Sequence, residues 1–330
     1  MHDAARVKSV GLGFALFSAI CFGGSGPFAK ALITAGMSPQ QAAWMRILGS
    51  AIVLVPLMLV LRGRTGLRSA HASWPALVMY GATGIAGCQT LFFIAASRLP
   101  VGVSILLEFT GPVLVVGWLK FGRKSHVPRS AALGVGIAVL GLACVVEIWA
   151  GVQLDAIGLL CGLGAAACQA TYFILIDRLT GLADPLVMTA VGSVVGSILL
   201  TAVALPWTMP WHVLTDTLPF ANRTAPGWSL AAWLIIVSTV IAYLAGAAAV
   251  QRLSAAVGGA VAYVEVVAAA LFAFLLLGEK LTFFQVLGGC IVLAGAFVAQ
   301  TSVHKVSPAL DLSAVERVPE ADEDKLTVSR

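Results

Sequence analysis

The chain has 330 residues, of which 59% are hydrophobic and only 11% charged, with a mean hydropathy of +0.97. Water-soluble domains carry about 25% charged residues, so a large soluble protein with an ordinary polar surface is excluded. The net charge of +5 is not gathered on a folded basic face, which excludes nucleic acid as a partner.

A helix needs about 20 mainly apolar residues to cross the hydrocarbon core. Runs of that kind occur at 10–30, 39–61, 74–97, 101–120, 130–148, 156–177, 185–205, 228–250, 256–277 and 283–301. Lipid offers exposed backbone groups no hydrogen-bond partner, so these runs are predicted to be helices. The first has the basic start and apolar body of a signal peptide. It lacks a small-residue cleavage site and belongs to the repeat described below, so it is expected to be retained. It contains "FGGSGPF", where Pro27 has no N–H and leaves the Gly23 carbonyl without its helical partner, while Gly26 allows close approach. Either a hinge or ordinary small-residue packing would use such residues.

The second run holds Arg46, the only basic residue well inside a span. It is a candidate counter-ion for a buried acid or a bidentate site for a substrate carboxylate; snorkelling outward is the alternative. In the third run Gln89 is a candidate cavity residue. The fourth reads "SILLEFTGPVLVV", with Glu108 in apolar surroundings and Gly111-Pro112 after it. Pro112 deprives the Glu108 carbonyl of its i+4 donor, which predicts a helix break beside the acid. Discontinuous backbone at membrane depth is tolerated where it lines a cavity.

Gln169 and Tyr172 in the sixth run, Tyr243 in the eighth and Tyr263 in the ninth are further cavity candidates, or interhelical hydrogen-bonding groups. Residues 206–227 form the longest outer connection and include an Asn222-Arg223-Thr224 sequon. Glu265 is the second deeply placed acid. Lys30, Arg98, Glu147 and Asp177 stand at span ends, where solvation is expected. The tail, 303–330, is polar and predicted to be disordered. The six cysteines all fall in spans without a Cys-x-x-Cys pair, which points to packing and to no metal site or disulfide framework.

Fifteen Lys and Arg residues fall on the side of the N-terminus and C-terminus against four on the other. The positive-inside rule then places both termini in the cytoplasm, in the plasma (inner) membrane. Shifting by 147 residues puts Gly11 on Gly158, Cys21 on Cys168 and Gly49-Ser50 on Gly196-Ser197. A shift of 154 puts Arg98-Leu99 on Arg252-Leu253, Gly134 on Gly288 and Gly141 on Gly295. Each unit holds five spans, and an odd number reverses the second copy. The expected fold is an all-α integral membrane protein of ten transmembrane helices in two inverted five-helix repeats, a design typical of secondary transporters with mid-membrane sites. Its parts are a cytoplasmic N-terminus at 1–9, a first repeat at 10–149, a second at 155–302 and the tail. Glu108 lies about 10 Å below the outer face and Glu265 about 13 Å from the inner one, at 1.5 Å per residue. Two inverted helices thus bring acids toward the midplane, where ionisable groups face the bundle interior and mark substrate or proton paths.

The ten spans resemble the EamA family of the drug/metabolite transporter superfamily. The segment "YVEVVAAALFAFLLLGEKLTFFQVLGGC", with a Glu in span nine followed by Leu-Gly-Glu-x-Leu-Thr, is similar to that family's end-of-unit pattern. "LLEFTGPVLV" is similar to the threonine/homoserine exporter branch. The chain departs from the family at Val266, where a Pro commonly follows the Glu, and in the first-half loop "FGRKSHVPRS". The resemblance implies export of small metabolites, amino acids such as threonine and homoserine first, by alternating access and coupled to protons. The implied partners are a small-molecule substrate, the lipid bilayer and a proton gradient, with a homodimer left open; no cofactor is implied. An enzyme would need a catalytic set inside the spans, and all five histidines lie in loops or tails. A sensor would need an output domain larger than the tail.

Overall fold

The computed structural model describes residues 2–122, 128–146, 155–179, 183–221, 223–250 and 255–304. From the second expected run onward, each helical stretch begins at, or one residue before, the expected start. The caps explain this agreement. Ser38 and Gln41 form a reciprocal capping box, Gln41 N to Ser38 Oγ at 3.2 Å and Ser38 N to Gln41 Oε1 at 2.9 Å, with Pro39 behind it. Thr282 and Gln285 repeat the device at the last helix, at 3.2 and 3.1 Å. Such caps satisfy amide donors that a helix start leaves unpaired.

The first stretch is two helices, α1 (His2–Gly23) and α2 (Ser25–Thr34), separated at Gly24. The break falls where Pro27 cannot donate to the Gly23 carbonyl. Helix α3 (Pro39–Ala72) outruns its expected span and kinks at Gly63, whose φ of 47° favours glycine. The third stretch is α4 (Trp74–Met79), a π-helical segment Tyr80–Gly87, and α5 (Cys88–Arg98). The fourth breaks as expected, into α6 (Val101–Glu108) and α7 (Gly111–Gly117).

Then follow α8 (Arg129–Val146), α9 (Ala156–Leu179) and α10 (Pro185–Ala204). The long outer connection contains a hairpin, β1 (Thr217–Phe220) with β2 (Arg223–Pro226), antiparallel with Leu218 opposite Ala225. The eighth stretch is α11 (Gly227–Ala232), a π-helical segment Trp233–Ile241, and α12 (Ala242–Val250). Helices α13 (Ala255–Leu277) and α14 (Phe283–His304) close the chain. Glu147, Asn222 and residues 305–330 lie outside the described residues.

Five stretches are long and apolar enough to cross a membrane: Ser9–Thr34, Pro39–Ala72, Trp74–Arg98, Pro185–Ala204 and Gly227–Gly246. Five shorter apolar helical stretches occupy the other expected runs. Side chains such as Val60, 82% exposed, and Leu140, 68% exposed, stand on the outer surface. An apolar surface of that kind suits lipid. The protein is an all-α membrane protein.

The helix pairing obeys the two-fold relation. Helix α8 packs on α14, and α3 on α10. Helix α1 packs on α12 and α13, and its counterpart α9 packs on α5 and α6. The contact between α8 and α14 is made through glycines. A Cβ on Gly288 would lie 2.7 Å from the Gly141 carbonyl oxygen, and one on Gly295 would lie 2.6 Å from that of Gly134. Under the 154-residue shift the pair Gly141/Gly288 becomes Gly295/Gly134, so this crossing maps onto itself. Of the three π-helical segments among the described residues, Tyr80–Gly87, Trp118–Gly122 and Trp233–Ile241, the first and last fall at equivalent places, Tyr80 shifting to 234 and Gly87 to 241.

Candidate functional site

Arg46, on α3, is 1% exposed, so the snorkelling alternative is excluded. Its guanidinium reaches across to the second repeat. Nε donates to Thr239 Oγ1 at 2.7 Å and Nη2 to the Ser238 carbonyl at 2.9 Å. Nη1 donates to Gln89 Oε1, and the guanidinium carbon stands 5.7 Å from the centre of the Phe93 ring. Ser238 and Thr239 belong to the π-helical segment 233–241, and Thr239 Oγ1 in turn donates to the Leu234 carbonyl at 2.8 Å. A π-turn shifts backbone acceptors out of the α-helical pattern and is frequent at functional sites. Here it supplies the carbonyl that holds Arg46.

Glu108 ends α6, at the helix break. The turn across the break is closed by Phe109 N to the Ile105 carbonyl at 2.9 Å and Thr110 N to the Leu107 carbonyl at 3.1 Å. Cys88 Sγ donates to Glu108 Oε1 at 3.2 Å, and Gln169 Nε2 at 3.4 Å. Cys88, expected only to pack, therefore touches the acid. Its neighbour Gln89 touches Arg46, so the first two residues of α5 join the arginine and the acid. Among the described residues there is no direct ion pair between Arg46 and either glutamate. The direct counter-ion expectation is replaced by this bridge. Arg46, Glu108 and Glu265 are still within electrostatic reach of one another.

Glu265 sits in mid-α13, and the α1 break is built against it. A Cβ on Gly23 would lie 3.0 Å from the Glu265 carbonyl oxygen and 2.7 Å from Ala268 Cβ. Glu108 and Glu265 are both half-buried. Gly111 marks the other break: a Cβ there would lie 2.6 Å from Gln169 Oε1. Gly26 likewise lets α2 approach Val101, at 2.5 Å from a notional Cβ.

Tyr172 stacks on Tyr80 with ring centroids 5.4 Å apart, and Tyr243 meets Phe22 edge-on at 4.9 Å. Tyr263 is placed away from the arginine bridge, against Phe109 at 5.8 Å and Phe297 at 6.4 Å. Among the described residues, three buried polar atoms have no hydrogen-bond partner: Thr90 Oγ1, Gln169 Oε1 and Ser238 Oγ. Lys30, expected to be solvated, is instead paired with Glu279 at 2.6 Å and partly buried. Arg98 pairs at the surface with Asp155 at 3.0 Å.

The sequence pattern of EamA-like transporters matches residues 9–147 and again 156–301. The chain belongs to the EamA-like transporter family. The threonine/homoserine exporter RhtA of Escherichia coli (strain K12) is 27% identical over 292 residues, covering 88% of this chain and 90% of the relative. Its counterpart in Salmonella typhimurium (strain LT2) is 28% identical over 242 residues, 72% of this chain and 75% of the relative. The uncharacterized transporter YwfM of Bacillus subtilis (strain 168) is 23% identical over 295 residues, 88% and 94% of the two chains. One crystal structure superimposes with a TM-score of 0.58 at 18% identity, covering 90% of this chain and 98% of the other, a likeness of fold. This EamA protein is thus a multi-pass membrane transporter whose two halves each carry the family pattern.

Proposed function

We propose that this transporter exports small metabolites, amino acids of the threonine and homoserine type first, by alternating access coupled to protons. Its setting is the plasma (inner) membrane with both termini cytoplasmic. The observation that carries the reading is the linkage of Arg46 to Glu108 through Gln89 and Cys88 at the repeat interface, beside the α6–α7 break. A carboxylate there can hold a proton or a substrate ammonium, and the two states exclude one another at a single site. That exclusion is how a proton gradient drives an amine the other way. Glu108 is assigned the coupling or ammonium contact and Glu265 the second acid. Gln89, Gln169 and Tyr172 line the path. Tyr263, beside the α6–α7 turn, supports the break at Gly111 and Pro112; Gly26 and Pro27 serve the break in span one.

Arg46 sets the positive potential of the site and fastens the repeats together. The relatives named for threonine and homoserine export support the amino-acid reading. A carrier for another metabolite or drug is the second reading, favoured by Val266 where the family commonly has proline. Everted vesicles containing the protein decide between them: uptake of threonine or homoserine that rises with an inwardly acidic gradient is the expected result. Uptake confined to other solutes establishes the second reading, and flux indifferent to the gradient removes proton coupling.

A further inference from the structure

The outer ends of three spans are tied together by a cluster that lies apart from the central acids. Lys30 Nζ, from the second half of α2, donates to Glu279 Oε1 at 2.6 Å and to the Leu99 carbonyl at 3.0 Å. Glu279, in the turn after α13, accepts the Val101 N–H on its other oxygen at 2.8 Å. Val101 opens α6, so the carboxylate occupies a helix N-terminus, where unpaired amides and the helix dipole favour negative charge. One acid therefore holds a half-helix of span one and a half-helix of span four to the end of span nine. The two side chains are 23% and 16% exposed.

The hairpin covers the same place. Phe220, in β1, packs on Phe28 of α2 with ring centroids 4.7 Å apart, and Phe28 stacks on Trp233 at 5.0 Å. The Ala221 N–H donates to the Leu276 carbonyl at the end of α13, at 3.1 Å. The other two ion pairs among the described residues differ: Arg62–Asp184 and Arg98–Asp155 touch neither broken helix.

Each tied segment leads directly to the centre. Helix α2 starts at the Gly24 break, α6 ends at Glu108, and α13 carries Glu265. A rigid half-helix that pivots at a break moves more with distance from it, and the cluster holds α2 beyond its first turn and α6 at its far end. We propose that Lys30, Glu279 and the β1 end at Phe220 and Ala221 form the outer gate of the transport path, and that the structure has this gate shut. The proposal rests on the reading of the chain as an alternating-access carrier, and is independent of cargo and of proton coupling. The gate assigns a task to the Leu-Gly-Glu-x-Leu-Thr segment: its glutamate is the bolt.

The test uses full-length protein with Cys88 as its sole cysteine, reconstituted with the outer face outward. Cys88 touches Glu108 and is 4% exposed, so it reports access to the centre. Labelling by an impermeant thiosulfonate should accelerate about tenfold in Lys30→Gln and in Glu279→Gln, the effect of losing one charge-assisted hydrogen bond. The charge-exchanged Lys30→Glu/Glu279→Lys protein should also label faster than the parent, since it sets an ammonium against the Val101 N–H and a carboxylate against the Leu99 carbonyl. Equal rates in all four would overturn the gate. As a safeguard against folding defects, Lys30→Cys/Glu279→Cys is linked by a short bis-thiosulfonate, and Cys88 labelling is read by peptide mass spectrometry. Slow labelling while linked, and fast labelling after reduction, is expected; fast labelling of the linked protein overturns the proposal. No cargo enters either assay, so a failed transport screen and a failed gate are told apart.

Discussion

Glu108 accepts from a thiol and an amide rather than from a cation, so its carboxyl can lose or gain charge without breaking an ion pair. Glu108→Gln should therefore fold normally and lose pH-dependent flux in proteoliposomes; flux that follows pH as in the parent would remove the coupling role. Arg46 is the opposite case, with three of its donors committed to fixed acceptors on both repeats. Lysine has a point charge and no planar fork, so Arg46→Lys should lower thermal stability by about 2–4 kcal/mol, as for other buried polar networks. Parent-like melting of that variant would show that the bridge does not fasten the repeats. Glu108 and Arg46 were legible in the sequence because an ionisable residue in an apolar run stands out against a large transfer cost. Thr239, Ser238 and Cys88 were not. Small polar residues recur throughout membrane helices, and nothing local says which of them will meet a guanidinium or a carboxylate.

Among the elements, the broken helices were predictable and the π-helical segments were not. Proline announces a missing donor at a known distance, whereas a π-turn has no residue signature. Gly111→Ala should push the Gln169 amide off Glu108, because its Cβ would meet Gln169 Oε1 at 2.6 Å and press on the Ala166 carbonyl at 3.1 Å. A loss of about 1–3 kcal/mol is expected for such overpacking, with flux falling further than stability. Gly288→Val tests the α8–α14 pair by the same reasoning, since its Cβ would meet the Gly141 carbonyl and the Val145 amide at 2.7 Å. Its melting temperature should drop, and an unchanged value would deny the close crossing.

The start of α9 carries a pH prediction. Asp155 Oδ1 accepts the Gly158 N–H at 2.7 Å. That bond, with Arg98 beside it, holds the Asp155 carboxyl below the usual range. A lowered native value means the stabilisation is complete above the unfolded carboxylate pKa, about 3.9. It is lost as pH falls through the native value. The melting difference between wild type and Asp155→Ala should be constant near neutrality and shrink below about pH 4; a difference that grows in acid would contradict the cap.

For the whole molecule, the predicted sense of insertion can be measured in intact cells. With the native cysteines removed, His212→Cys in the outer connection should react with an impermeant thiol reagent, and His71→Cys should not. The reverse pattern would invert the assignment of the two faces, and reaction at both would break the five-span counting. The self-mapping contact of Gly141 with Gly288 and Gly295 with Gly134 supports the opposed arrangement from inside the bundle. It needs α8 and α14 to run antiparallel, which follows only if each repeat has an odd number of crossings.

The amino-acid sequence alone determined that this chain lives in lipid, where its helices start, where two of them break and that its halves are copies. Each of these follows from local chemistry: hydropathy over a span, a cap, a missing N–H, a repeated glycine. Only the tertiary structure decided which side chains meet. It put Cys88 and Gln169 on Glu108, turned Arg46 inward to the π-helical carbonyl, and brought Lys30 to Glu279 across 249 residues. Such partners are chosen by helix crossings, and a crossing depends on the depth and rotation of two segments at once. Neither segment encodes that relation alone.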